Sequence, residues 1–68
     1  MLNINALRAE MARKRITQKA LAKSIGISEK TFISRMKKGV FGTDEAQIIV
    51  DTLNLSNPAE IFFANEVN

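Results

Sequence analysis

The sequence predicts an all-α protein of five short helices, and two observations carry that prediction. Apolar residues recur at helical spacing in several short segments, which is the pattern of amphipathic helices. Residues that commonly begin helices precede these segments, and Gly follows two of them. With 68 residues and no Cys, the chain should form one domain over residues 1–68, whose small core has no disulfide to support it.

The first helix should cover residues 4–14. Leu7 and Met11 are four residues apart and therefore lie on one face of it. Either Asn3 or Asn5 could cap it, because both side chains can accept a hydrogen bond from the first turn.

A helix-turn-helix is predicted over residues 17–38. Thr17 and Ser28 are good N-cap residues for its two helices. The helix that Thr17 begins should run to about Ser24, and Gly26 permits the left-handed backbone geometry in which it ends. Two short helices with facing apolar sides and a Gly turn make this motif, whose second helix can enter the major groove of DNA.

The run from Gln18 to Ser28, with Leu21 and Ala22 at the crossing point and Gly26 in the turn, resembles the helix-turn-helix of the Cro and phage-repressor type, the Xre-like regulators. The resemblance implies a lambda-repressor-like domain that binds double-stranded operator DNA as a Cro-like repressor of a phage or prophage. It continues into the flanking segments and covers nearly the whole chain, through residues 11–18, 38–46 and 61–63.

The second helix of the motif has a packed side and a polar side. At about 100° per residue, Phe32 and Met36 mark the packed side, and Ile33 at its edge is expected to be buried rather than to contact a thymine methyl group. Glu29 could accept from a cytosine amino group, although a partnership with the helix dipole is the preferred interpretation. The candidates for base contacts are Lys30, Ser34, Glu29, Thr31 and Lys37.

Positive charge is confined to the first half of the chain. All ten Lys and Arg and only two acids lie in residues 1–38, which carry +8, whereas residues 39–68 have five acids and no cation. A polyanion should therefore meet the first half. The resemblance implies a phosphate contact for Gln18, and the full set of phosphate candidates is Gln18, Lys19, Thr17, Ser28, Lys38 and Arg15.

One departure from the family pattern concerns the end of the second helix of the helix-turn-helix, the recognition helix. Many relatives have an apolar residue where this chain has Arg35, and the glycine that follows, Gly39, comes one residue later than usual. The departure predicts a recognition helix that is rotated or lengthened by one residue.

The fourth helix should follow a loop over residues 39–42. Either Val40 or Phe41 is expected to enter the core from this loop. Thr43 should cap the helix, which then runs to about Leu53 or Asn54, with acidic residues in its first turn. Its outward-facing Ile48 is expected to be a lone exposed apolar residue.

The fifth helix should be short, running from Pro58 to about Ala64, with Asn57 and Glu60 forming something close to a capping box. It ends in three consecutive apolar residues, and one helix face cannot bury all three. The candidate contacts with a second copy or with another protein are Ile61, Phe62 and Phe63, unless Phe63 folds back onto its own core.

Composition argues against other classes of protein. The chain has no His, Cys, Tyr or Trp and no paired acids, so we expect no enzyme activity, no cofactor or metal, and no small-molecule ligand. No apolar run approaches the roughly 18 residues of a membrane span, which predicts no membrane contact. The absence of Cys fits a reducing cytoplasm, and we expect a cytoplasmic, nucleoid-associated protein of a bacterium or a phage-infected host. The alternative to DNA binding is a protein-interaction module, an antirepressor or antitoxin that binds a repressor or another partner.

Overall fold

The computed structural model describes residues 2–63, and this part of the chain is built from helices and loops alone. The all-α prediction of five helices is confirmed. α1, α3 and α4 lie within one residue of their predicted bounds, α2 extends one residue beyond Ser24, and the predicted end of helix 5 at Ala64 lies outside the described residues. The helices are α1 (Ile4–Lys14), α2 (Gln18–Ile25), α3 (Glu29–Lys38), α4 (Thr43–Leu53) and α5 (Pro58–Phe62).

The first three helices begin with side-chain caps. Asn3, Thr17 and Ser28 each accept a hydrogen bond from the backbone N–H three residues later, at 3.0, 3.0 and 3.1 Å. These bonds satisfy N–H groups that have no acceptor inside their helices. They also decide that Asn3, and not Asn5, caps α1.

One predicted cap and one predicted capping box are wrong. The N-cap of α4 is Gly42 and not Thr43. The Glu45 carboxylate accepts a hydrogen bond from the Gly42 N–H at 2.8 Å, which holds Gly42 at the N-cap position. Asn57 is the N-cap of α5, as predicted, but its side-chain amide donates to the Glu60 carboxylate at 3.2 Å and does not accept from the backbone, so the predicted capping box does not form.

The first four helices end in the same way. Each is followed by a residue in the left-handed region, at φ 58°, 91°, 72° and 51°. The next residue then donates its N–H to the carbonyl five positions earlier, at 2.9–3.1 Å, which is the Schellman arrangement. That next residue is always apolar, and it packs into or against the core in three cases, Ile16, Ile27 and Leu55, but not at Val40, which is 65% exposed.

The core is formed by the inner faces of the helices. α2 packs against α3 and α4, and α1 packs against α4 and α5. A hydrogen bond of 2.7 Å from the Asn3 N–H to the Ile61 carbonyl joins the start of the described chain to α5. The largest fully buried side chains are Leu7, Leu21, Phe32, Ile49 and Leu53.

The loop between α3 and α4 contributes one aromatic ring to this core. Phe41 is half-buried, and its ring centroid lies 5.5 Å from that of Phe32, with the planes tilted by 45°. This separation is within the range of favourable aromatic pairs. Of the two residues proposed for the core, Phe41 therefore enters it and Val40 stays outside.

The packed side of α3 is narrower than predicted. Phe32 and Met36 are buried, at 0% and 2% exposure, but Ile33 is only half-buried and is not among the residues that pack against the core. The prediction of a buried Ile33 is wrong, because this residue lies about 80° around the helix from the centre of the buried stripe. Ile48 on α4 is likewise half-buried and outside the core, a little less exposed than expected.

Candidate nucleic-acid interface

The face of α3 opposite its buried stripe is polar and open to solvent. Lys30, Ser34 and Lys37 are all exposed and lie within about 60° of one another around the helix. Ser34 is diametrically opposite the midpoint between Phe32 and Met36. The structure therefore brings together three of the five predicted base contacts, with two ammonium groups beside a hydroxyl that can both donate and accept.

The other two predicted base contacts lie in the first turn of α3. Glu29 is exposed, so its carboxylate is accessible there. Thr31 is half-buried, and its hydroxyl oxygen accepts from the Ser28 hydroxyl at 2.9 Å while the same Ser28 oxygen accepts from the Thr31 N–H. Ser28 and Thr31 are thus held in the helix cap, which leaves them less free than Lys30 or Ser34 to follow a base edge.

The N-terminus of α2 offers backbone donors as well as side chains. The Thr17 hydroxyl is occupied by the Ala20 N–H, whereas the N–H groups of Gln18 and Lys19 have no acceptor within the helix. Gln18 is half-buried and Lys19 is exposed. Free N–H groups and the positive end of the helix dipole favour an anion such as a phosphate at this point.

The remaining phosphate candidates are exposed cations near the ends of helices. Arg15 ends α1 in the left-handed conformation, two residues before the cap of α2, and Lys38 is the last residue of α3. None of the Lys side chains on α2 and α3 forms an ion pair with another residue of the range 2–63. The positive charge of this surface is therefore available to an external anion.

A family comparison identifies the kind of domain that carries this surface. Residues 6–65 match the model of the Cro/C1-type HTH DNA-binding domain. The chain belongs to this family. No curated protein and no solved structure matches the chain significantly.

The predicted family is thereby confirmed, and DNA binding with a regulatory role follows from it. No helix within the described residues of this Cro/C1-type domain has the length and the apolar run that are needed to cross a membrane.

Arg35, the departure from the family pattern, has a structural role in this Cro/C1-type domain. Its guanidinium forms an ion pair with Glu45, the same carboxylate that accepts from the Gly42 N–H. Arg35 therefore connects α3 to the start of α4. Sequence reasoning missed this pair because no spacing rule relates side chains on two different helices, although a cation and an acid flanking one short loop were a signal.

The C-terminal part of the domain carries an apolar groove. Of the three predicted partner contacts, Ile61 is buried in the core, Phe62 is half-buried against it, and Phe63 is 52% exposed. Phe63 therefore does not fold back onto the core. The groove has a volume of about 600 Å³, and its apolar lining includes Leu2, Val40, Phe41, Val50, Phe62 and Phe63.

Proposed function

We propose that this Cro/C1-type domain is a sequence-specific regulator that places α3 in the major groove of double-stranded operator DNA. The observation that supports the proposal is the exposed face of Lys30, Ser34 and Lys37. It lies directly opposite the buried stripe of Phe32 and Met36, so burial of one side of α3 presents the other to a partner.

Each side chain of this face has a definite chemistry for base edges. Lys30 and Lys37 donate to O6 and N7 of guanine, and Ser34 can donate to or accept from several bases. Glu29 at the edge of this face accepts from the amino group of cytosine. Thr31 has a smaller part, because its hydroxyl already accepts a hydrogen bond from the Ser28 hydroxyl. We therefore assign Lys30, Ser34 and Lys37 the main part in sequence recognition.

The phosphate contacts position the domain on the duplex. The free N–H groups of Gln18 and Lys19 at the start of α2 bind one phosphate, supported by the Lys19 ammonium group. Arg15 and Lys38 supply further positive charge, and Thr17 and Ser28 hold the two helix starts in place. These contacts give affinity by counterion release and carry no sequence information.

Regulation is proposed to be repression by occupation of the operator. A domain bound in the major groove excludes other proteins from the same stretch of DNA without any further activity. The +8 charge of residues 1–38 supports rapid association with DNA, which such competition requires.

The apolar groove is proposed to hold a second copy of the chain. Val40 and Phe63 line it and are the two large apolar side chains exposed on the described surface. Val40 is also the one residue following a left-handed helix end that does not pack into or against its own core. A symmetric dimer would present two α3 helices to half-sites about 34 Å apart, as an inverted repeat.

The experiment that tests the function is selection of genomic DNA fragments by the purified protein at two salt concentrations. We expect recovery of one inverted-repeat motif that persists at the higher salt. A single half-site would retain the sequence-specific function and contradict the dimer. Retention of DNA only at low salt, without a motif, would contradict sequence-specific regulation.

The second candidate function is a protein-interaction module, such as an antirepressor or an antitoxin. The observation that favours it is the same groove, most of whose lining comes from residues 39–68, the half of the chain that has five acids and no cation. Size-exclusion chromatography with a candidate repressor, in the absence of DNA, tests it. A stable complex at micromolar concentration that Phe63→Ser abolishes would support it, and unchanged elution of both proteins would count against it.

A further inference from the structure

We propose that Ile33 contacts the methyl group of a thymine in the operator and thereby selects T at one position of each half-site. The inference rests on the proposed function, since it assumes that α3 enters the major groove. It adds an apolar contact to the polar readers Lys30, Ser34 and Lys37.

The first step of the argument is that Ile33 is not a core residue. It is half-buried, and it does not pack against the core that holds its neighbours on α3. An Ile in a domain of this size usually contributes to the core, because burial of its apolar surface stabilises the fold. Ile33 instead keeps part of its side chain exposed to solvent, where a partner can reach it.

The second step is that Ile33 lies within the proposed DNA-reading face. Lys30 is three residues before it, and Glu29 and Lys37 are four residues away on either side, so all three are its neighbours on the helix surface. All three are exposed. A lone apolar side chain between charged groups offers little area to a protein partner, whereas the cations around it complement the phosphates on either side of a DNA groove.

The third step is the chemistry of the groove. The 5-methyl group of thymine is the apolar feature that the major groove presents, and aliphatic side chains contact it. Burial of one methyl-sized group is worth about fourfold in affinity, taking about 0.8 kcal/mol for each CH₂. The contact distinguishes T from uracil, which has the same hydrogen-bonding edge and lacks only this methyl group.

The test uses the full-length protein and the operator recovered by the selection described above. Each thymine is replaced in turn by deoxyuridine, and the dissociation constant is measured for the wild type, Ile33→Ala and Ile48→Ala. Ile48→Ala is the matched control, because Ile48 is also half-buried and outside the core but lies on α4.

We expect one thymine of each half-site at which deoxyuridine weakens wild-type binding about fourfold. The same replacement should have no effect on Ile33→Ala and the full effect on Ile48→Ala. The melting temperatures of the two variants should be lowered by similar, small amounts.

Three results would overturn the inference, and they separate it from the proposed function. If Lys30→Ala weakens operator binding but no thymine depends on Ile33, the methyl contact is wrong and the proposed function stands. If Ile33→Ala melts far below Ile48→Ala, Ile33 is a structural residue. If no operator is recovered at all, the proposed function fails, and this inference fails with it.

Discussion

At the scale of single residues, Gly26 occupies a position where the backbone conformation, and not a lack of space for a side chain, favours glycine. It ends α2 at φ 91°, and its N–H donates to the carbonyls of Ala22 and Lys23 at 2.9 and 3.2 Å. A Cβ atom built at this position would have no heavy atom within 4 Å beyond its chain neighbours. The restriction to glycine therefore comes from the left-handed backbone and not from crowding.

Substitutions at Gly26 should destabilise the fold in the order in which residues avoid the left-handed region. We expect Gly26→Ala to lower the free energy of unfolding by about 1–2 kcal/mol, and Gly26→Val to lower it further because a β-branched residue fits this region worst. Denaturant unfolding followed by circular dichroism measures both.

Asn54→Gly is the control for these variants, because Asn54 ends α4 in the same conformation and should tolerate glycine with little change. Equal stability of Gly26→Val and the wild type would contradict the backbone explanation.

A second residue-scale prediction concerns base recognition. Lys30→Ala and Ser34→Ala should each weaken operator binding by about 1–3 kcal/mol, since each removes a proposed base contact. Both side chains are exposed, so folding should be unaffected. Lys23→Ala removes the same charge as Lys30→Ala from α2 and is the matched control. Equal losses on operator and random DNA for Lys30→Ala would show a phosphate contact instead of a base contact.

At the scale of elements, Glu45 connects the end of the recognition helix to the start of the next helix. One carboxylate oxygen accepts from the Gly42 N–H, and the other pairs with Arg35. The Arg35 side chain is 37% exposed, so the ion pair alone should contribute little. The hydrogen bond to Gly42 resembles one half of a capping box and should contribute more.

A double-mutant cycle separates these two contributions. Arg35→Ala should lower the free energy of unfolding by about 0.5 kcal/mol, an effect that added salt reduces. Glu45→Ala should lower it by about 1 kcal/mol, because the hydrogen bond at the helix start is lost as well.

The double variant should be no less stable than Glu45→Ala. Asp44→Ala, which removes an acid from the same turn, is the control for charge near the helix start. A fully additive double variant would show that Arg35 and Glu45 do not interact in solution.

At the scale of the whole molecule, one surface is proposed to bind DNA and another to form the dimer. The cations of residues 1–38 cover α1 to α3, and the exposed apolar side chains Val40 and Phe63 lie at the groove beside α4 and α5. A substitution on the cationic surface should therefore leave the dimer intact, whereas loss of the dimer should weaken binding to the inverted repeat. Phe63→Ser and Lys19→Ala alter one surface each.

Phe63→Ser should shift the protein from dimer to monomer without unfolding it, because Phe63 is 52% exposed and outside the core. Sedimentation equilibrium measures the change in association. Ile48→Ser, which alters an apolar residue outside the groove, should leave the dimer intact. A wild type that is monomeric at high micromolar concentration would contradict the dimer and favour the partner-protein alternative.

Lys19→Ala should weaken binding to operator and random DNA alike. The slope of the logarithm of affinity against the logarithm of salt concentration should fall by about one, since one phosphate contact is lost. Filter binding at several salt concentrations measures that slope. An unchanged slope would remove Lys19 from the set of phosphate contacts.

The sequence by itself determined the helices, most of their boundaries and the family. These depend on local chemistry, because a side chain such as Thr17 or Ser28 caps its own helix and a glycine at position 26 ends one wherever the helix later packs. The helix-turn-helix follows from these caps and this glycine together with the spacing of apolar residues, and that spacing also predicts the exposed positions of Lys30, Ser34 and Lys37.

The tertiary structure alone decided the features that depend on two elements at once. Burial of Phe41 instead of Val40 depends on where Phe32 lies, and the role of Arg35 depends on the position of Glu45. Ile33 was misassigned because helical spacing gives its angle but not the width of the stripe that neighbouring helices cover. That width is set by how α2 packs against α3, which is a property of packing and not of local sequence.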